Sequence, residues 1–161
     1  IQFIATVIHR PPLLILDEPF SGLDPINTNL IKEEIQRLNQ EGTSIIFSTH
    51  RMEQVEEMCQ YIALINKGKN VLYGDVQEIK NRYKQHLYKI ESDSPFPDEM
   101  GEAFTIVSRT GNSITLQTEN DEQSNAPLHY LLNKGIRIRS FNEILPSFDE
   151  IFIRTVEGQQ G

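Results

Sequence analysis

The chain is 161 residues long, yet it has no run approaching the roughly 20 apolar residues that a bilayer-spanning helix needs. Contact with a membrane would therefore have to come through a partner. Cysteine is also scarce. Cys59 stands alone, so no internal disulfide can form, and a reducing compartment is the expected setting. Basic charge is in deficit, with 15 Lys and Arg against 23 Asp and Glu, a formal net charge of -8. A protein that coats nucleic acid normally carries a basic face, so no nucleic-acid partner is expected. The chain opens on Ile1, with no initiator Met, charged leader or small-residue cleavage site. The expectation is a piece of a longer polypeptide. What is present suffices for a core: 38% of residues are apolar and 24% charged, outside the range of a largely disordered chain.

At about 150 residues per domain, this length accommodates one domain or two small ones. Charge divides unevenly along it. Residues 1–85 hold nine basic and eleven acidic side chains, net -2, whereas residues 86–161 hold six and twelve, net -6. We place a domain boundary near Gln85. In the first part, Ile1, Ile4, Ala5 and Ile8 recur at helical spacing until Pro11-Pro12 stops them. Residues 13–16 are all apolar, as in a strand buried on both faces. Asp24 is an expected N-cap, with Pro25 at the first helical position and Ile26, Leu30, Ile31, Ile35 and Leu38 forming a stripe that Gly42 ends. Residues 43–49 read as a second buried strand, and Met52, Val55, Glu56 and Cys59 as a following helix. Residues 61–66 and 70–73 form a hairpin through Lys67-Gly68-Lys69, and Asp75 with Glu78 boxes the start of a helix running to about Tyr83. This order predicts an α/β fold: parallel strands with crossover helices, and the hairpin added antiparallel at one edge.

The second part reads as a small α+β domain. Tyr88 and Ile90 alternate with Lys89 and Glu91, a short helix is expected over 98–103, and strands at 104–110 and 113–118 join through Gly111-Asn112. Leu128, Leu131 and Leu132 mark a helix closed by Gly135. Ile136 and Ile138 alternate with Arg137 and Arg139, and Ser147 with Glu150 boxes a final helix carrying Phe148, Ile151, Phe152 and Val156 on one face. The order β-α-β-β-α-β matches a ferredoxin-like split βαβ unit.

The chemistry concentrates in LLILDEPFSGLDP, residues 13–25. Asp17 and Glu18 fall at the carboxyl end of an apolar strand, where α/β sheets build ligand sites. Adjacent carboxylates there are costly unless paired with a cation or facing a wet cleft. Divalent metal with phosphate meets that condition: one carboxylate can hold Mg²⁺, and its neighbour can orient and deprotonate an attacking water. Read locally, Ser21, Gly22 and Asp24 make a tight turn and a helix cap. The second strand, IIFSTH at 45–50, ends in His50. Parallel strands end on the same side of a sheet, so His50 can reach Asp17 and Glu18 and donate to a phosphate oxygen. A structural strand-end histidine is the plainer alternative.

These residues carry a family resemblance. LLILDEP resembles the Walker B strand of ATP-binding-cassette (ABC) ATPases, SGLD its D-loop, and STH the segment bearing its switch histidine. The resemblance covers roughly residues 1–85 and implies a partial P-loop NTPase sheet from an ATPase that dimerises head to tail around two ATP. It further implies that Asp17 coordinates Mg²⁺, that Glu18 and His50 are catalytic, and that Ser21, Gly22 and Asp24 lie at the dimer interface near the partner's nucleotide. Residues 86–161, ending in PSFDEIF at 146–152, look like the accessory C-terminal domain of drug- and sodium-exporter ATPases. The implied partners are a membrane-spanning permease and a second ATPase subunit, on the cytoplasmic face of the membrane.

Two family elements have no counterpart. No Gly-rich loop ends in Gly-Lys-Ser/Thr to cradle phosphates, and no LSGGQ-type signature occurs; in the family the latter lies just before the helix matching residues 1–10. The chain alone is therefore expected to be inactive. Two other functions stay open: a soluble, non-transport ABC ATPase, and a regulatory or oligomerisation module formed by residues 86–161. His9, His86 and His129 lack ligand-like spacing and read as surface residues. Arg137 and Arg139 mark an exposed strand face able to meet an acidic partner. Lys67, Lys69, Lys80, Arg82 and Lys84 form a solvated basic stretch, or a contact for anionic lipid.

Overall fold

The computed structural model describes residues 2–97, 100 and 104–157. The chain separates into two compact units, 1–76 and 77–161. The change in composition falls later, at Gln85. The helix expected at 98–103 lies outside the described residues.

In the first unit α1 (Gln2–Val7) leads to β1 (Leu13–Asp17), α2 (Pro25–Gln40), β2 (Ser44–Ser48), α3 (Met52–Met58), β3 (Tyr61–Asn66) and β4 (Lys69–Asp75). β1 and β2 are parallel and in register from Leu13↔Ser44 to Asp17↔Ser48, so their carboxyl ends are level. The ladder continues past that end, because the Glu18 N–H donates to the Ser48 carbonyl at 3.1 Å. α2 starts as its sequence demands. Oδ1 of Asp24 accepts from the N–H groups of Ile26 and Asn27, both at 3.0 Å, and Pro25 occupies the first turn. Gly42, at φ +100°, takes the left-handed conformation that follows the helix. The hairpin turns on Lys67-Gly68, at φ +48° and +73°, and Lys69 already pairs with Asn66.

Two expectations are corrected here. Neither central strand is buried on both faces: Leu14 is buried, but Ile15 is 69% and Ile46 is 57% exposed. Alternation along a strand puts Leu13 and Ile15 on one face with Ile46, and among the described residues nothing covers it. α2 likewise buries Ile35 and Leu38 while Ile26 and Leu30 face solvent. The hairpin is also not an added edge. β3 and β4 form their own two-stranded sheet, because neither makes a ladder with β1 or β2. Cys59 falls one residue beyond α3 in extended backbone, and partial burial pushes its thiol pKa up.

The second unit comprises α4 (Val76–Arg82), whose first residue belongs to the first unit, then β5 (Leu87–Ser92), β6 (Thr105–Thr110), β7 (Ser113–Gln117), a 3₁₀ turn at Asp121–Gln123, α5 (Ala126–Asn133), β8 (Ile138–Ile144) and α6 (Phe148–Glu157). Its four strands form one antiparallel sheet in the order β6-β7-β5-β8. One face is a closed core in which Ile90, Ile114, Leu116 and Leu131 pack with Phe96 and Phe104. The other face is polar: Lys89 lies across from Thr115 and Asn142, and Glu91 across from Ser113 and Ser140. At the head of α6, the Ser147 N–H donates to Glu150 Oε2 at 2.9 Å and the Glu150 N–H to Ser147 Oγ at 3.3 Å, a reciprocal capping box. β8 begins at Ile138 rather than Ile136, because the Ile136 N–H closes α5 on the Leu131 carbonyl at 3.0 Å. Arg137 and Arg139 mark an exposed strand face, with side chains 87% and 69% exposed, and share one internal acid. Both pair with Asp93.

Candidate functional site

The site forms where β1 and β2 end. Asp17 is the last residue of β1, and Ser48, directly across from it, donates its hydroxyl to Asp17 Oδ1. Oδ2 of Asp17 accepts no hydrogen bond from the described residues. One residue on, Glu18 adopts φ +44°, a left-handed conformation that a side chain disfavours. Two bonds hold it there. Its N–H reaches Ser48 O, and its carbonyl accepts from the Ser21 N–H at 3.0 Å, closing the turn into the loop. Strained backbone of this kind persists only where its surroundings over-determine it, and such residues cluster at functional sites.

That twist aims the Glu18 carboxylate at the residues following β2. Oε1 lies 2.6 Å from His50 Nδ1 and accepts the His50 backbone N–H at 3.0 Å. Oε2 has a weaker companion. The Thr49 hydroxyl is 3.5 Å away, but its single proton goes to Oε1 of the buried Gln54 at 2.7 Å. One Glu18 oxygen is thus saturated, and the other is left for a donor from solvent. Bonding to His50 is the largest cause that lowers the Glu18 pKa below its ordinary value, against a desolvation effect that raises it. The carboxylate stays ionised in a wet setting: its side chain is 33% exposed and that of His50 is 78% exposed.

The tautomer of His50 follows from its partner. A carboxylate only accepts, so the ring donates through Nδ1. Nε2 of the neutral ring is then a bare acceptor. His50 can donate to an incoming anion only as an imidazolium, or after releasing Glu18.

Glu18 and His50 meet, as their places at the ends of parallel strands predict, while Asp17, one residue earlier, is bonded to Ser48. Ser21, Gly22 and Asp24 line the exposed loop that follows, with Gly22 at φ +73°. Asp24 does local work, since it caps α2 and bonds the Asn27 side chain at 2.5 Å. Those bonds, led by the Asn27 N–H, lower its pKa. The cap also occupies the N–H groups of Ile26 and Asn27, so the head of α2 is not a phosphate cradle. Sequence reasoning missed Ser48, Thr49 and Gln54. Ser48 and Thr49 stand beside His50 in STH and were legible as small polar residues at a strand end, whereas Gln54 enters only through the fold of α3.

Residues 74–156 match the family described as "ATP-binding protein DrrA1-3-like, C-terminal domain", and residues 1–55 match in part "AAA domain, putative AbiEii toxin, Type IV TA system". The ABC transporter ATP-binding protein YhaQ of Bacillus subtilis (strain 168) is 43% identical over 97% of this chain and 52% of its own length. An ABC transporter ATP-binding protein of Alkalihalophilus pseudofirmus is 40% identical over 97% of this chain and 58% of its own. The bacitracin transport ATP-binding protein BcrA of Enterococcus faecalis is 26% identical over 96% of this chain and 51% of its own. The chain spans about half the length of the curated relatives it matches.

Proposed function

Because this chain belongs to the ABC transporter ATP-binding proteins that carry a DrrA1-3-like C-terminal domain, we propose that it supplies the hydrolytic residues of an exporter ATPase. The observation that carries this reading is the convergence of Asp17, Glu18 and His50 at the level ends of two parallel strands, with Glu18 bonded to His50 at 2.6 Å. The bacitracin transport relative supports a role in transport.

The residues present fit the metal better than the nucleotide. Asp17 offers an exposed carboxylate oxygen with no other hydrogen-bond partner among the described residues, the hard donor that Mg²⁺ takes, directly or through water. Bound Mg²⁺-ATP supplies the scissile γ-phosphate. Glu18 orients the attacking water through Oε2 and takes its proton there. His50 holds Glu18 through Nδ1 and senses phosphate through Nε2 once it is an imidazolium. No residue here offers a phosphate cradle, and the head of α2 is already capped by Asp24. In this reading the grip on the nucleotide belongs to the further length that the curated relatives possess.

The same reasoning explains the exposed face of β1 and β2. In the whole protein it is covered by further chain, and the loop of Ser21, Gly22 and Asp24 meets a second ATPase subunit. No helix among the described residues is long and apolar enough to cross a membrane. We place the protein on the cytoplasmic face, against a membrane-spanning permease. The accessory domain is ferredoxin-like, a reading supported by its strand order β6-β7-β5-β8. The test is Glu18→Gln in the full-length protein. It should lower ATP turnover by about 10² to 10⁴, the usual worth of a general base, and accumulate an ATP-bound dimer. Turnover near the parent level contradicts the role.

A further inference from the structure

Away from the strand ends of the first unit, the second unit assembles a donor set that no local spacing announces. His86 precedes β5 in a left-handed conformation at φ +52°, Asp121 opens the 3₁₀ turn, and Glu143 lies on β8 across from Tyr88. One ligand atom from each of the three lies within 4.8 Å of the others, and His86 Nδ1 is 3.0 Å from Asp121 Oδ1. The frame around them is held. The Thr118 N–H donates to His86 O at 3.0 Å, and the Gln117 side chain donates to Gln85 O at 3.1 Å, which ties this segment to β7. The Asn120 side chain accepts the Gln123 N–H at 3.1 Å, fixing the turn that presents Asp121.

The cluster already holds a cation of its own. Lys84 Nζ lies 2.6 and 2.5 Å from the two Asp121 oxygens and 3.8 Å from Glu143 Oε1. One ammonium balances only one of two carboxylates. Asp121 only accepts, so the neutral His86 ring donates to it through Nδ1; a divalent ion balances both carboxylates and takes a lone pair of the ring once that proton moves to the other nitrogen. His86 also lines a cavity of about 520 Å³ with Gln85, Thr118, Glu119 and Gln123, so solvent reaches the imidazole from that side.

We propose that His86, Asp121 and Glu143 form a site for a divalent transition-metal ion of the Zn²⁺ class, which binds by displacing the Lys84 ammonium. One imidazole nitrogen with two carboxylate oxygens and an open position suits such ions. Mg²⁺ prefers an all-oxygen shell and competes poorly there. Lys84, on its flexible four-carbon stem, swings to solvent and acts as a built-in competitor that keeps the site exchangeable.

The experiment is a titration of the purified 161-residue chain with Co²⁺, read by visible absorption, with Zn²⁺ and then Mg²⁺ as competitors. One Co²⁺ should bind, and Zn²⁺ but not Mg²⁺ should displace it. His86→Ala should weaken binding by roughly 10- to 100-fold or more, the scale on which even supporting groups around a metal act, and the more conservative Glu143→Gln should also weaken it. Lys84→Met should tighten binding, a sign of effect that a purely ion-paired cluster cannot give. Absence of Co²⁺ binding overturns the proposal. So does binding that survives His86→Ala, that weakens in Lys84→Met, or that is lost instead in His50→Ala, which would move the ion to Glu18.

Discussion

The first unit is the richer in apolar residues, and the two units put them to different ends. In the second, alternation along β5 and β7 puts Ile90, Ile114 and Leu116 on one face under α5, and that face is sealed, while polar partners such as Lys89, Thr115 and Asn142 take the other. In the first, β1 and β2 are apolar on both faces, so one face keeps Leu13, Ile15 and Ile46 in solvent. The lesson concerns patterning. An alternating strand declares how many partners it needs, namely one. A continuously apolar strand declares two, and here it has one among the described residues. The candidate site lies at the end of this half-covered sheet, with Asp17 and Ser48 on its open face.

Truncation should expose that contrast most strongly. Leu116→Ala removes a fully buried side chain and should destabilise the second unit by about 2–5 kcal/mol in urea unfolding followed by near-ultraviolet circular dichroism. Ile15→Ala, in the same assay, should stay within about 0.5 kcal/mol. Equal costs would erase the distinction between the faces. A smaller effect tests the turns, where the units should agree. Gly22 and Gly111 both adopt positive φ, +73° and +56°, with nothing within 4 Å of an added Cβ. Alanine at either should cost roughly 1–2 kcal/mol from backbone conformation alone. A neutral Gly22→Ala would mean that the loop after Glu18 is not held as described.

The smallest expected effect is a titration. The Glu18 pKa is lowered, so its contribution to stability is present above the ordinary glutamate value and fades as pH falls through the folded value. Nuclear magnetic resonance of the Glu18 carboxyl carbon should show titration below the ordinary range, moving back toward it in His50→Ala. An unchanged value in that variant would separate the two side chains.

What was legible followed the range of the interactions. Asp24 capping α2, Lys67-Gly68 turning the hairpin, and Ser147 with Glu150 opening α6 are settled within a few residues, and each stands as its sequence implies. The meeting of Glu18 and His50 was readable through topology alone, since parallel strands must end on one side. Other features turned on distant partners. Asp93 beside Arg137 and Arg139, and Asp121 and Glu143 beside His86, are brought there by the fold from positions that no local spacing links. The start of β8 is ambiguous in the sequence, because Ile136 fits a strand's alternation equally well while serving to close α5.

The proposed function divides the labour: Asp17, Glu18 and His50 serve hydrolysis, and the phosphates are gripped elsewhere in the protein. Equilibrium binding of Mg²⁺-ATP, measured side by side for the 161-residue chain and the full-length protein, separates the two. The full-length protein should bind tightly and the chain alone not detectably. Tight binding by the chain alone overturns the proposal.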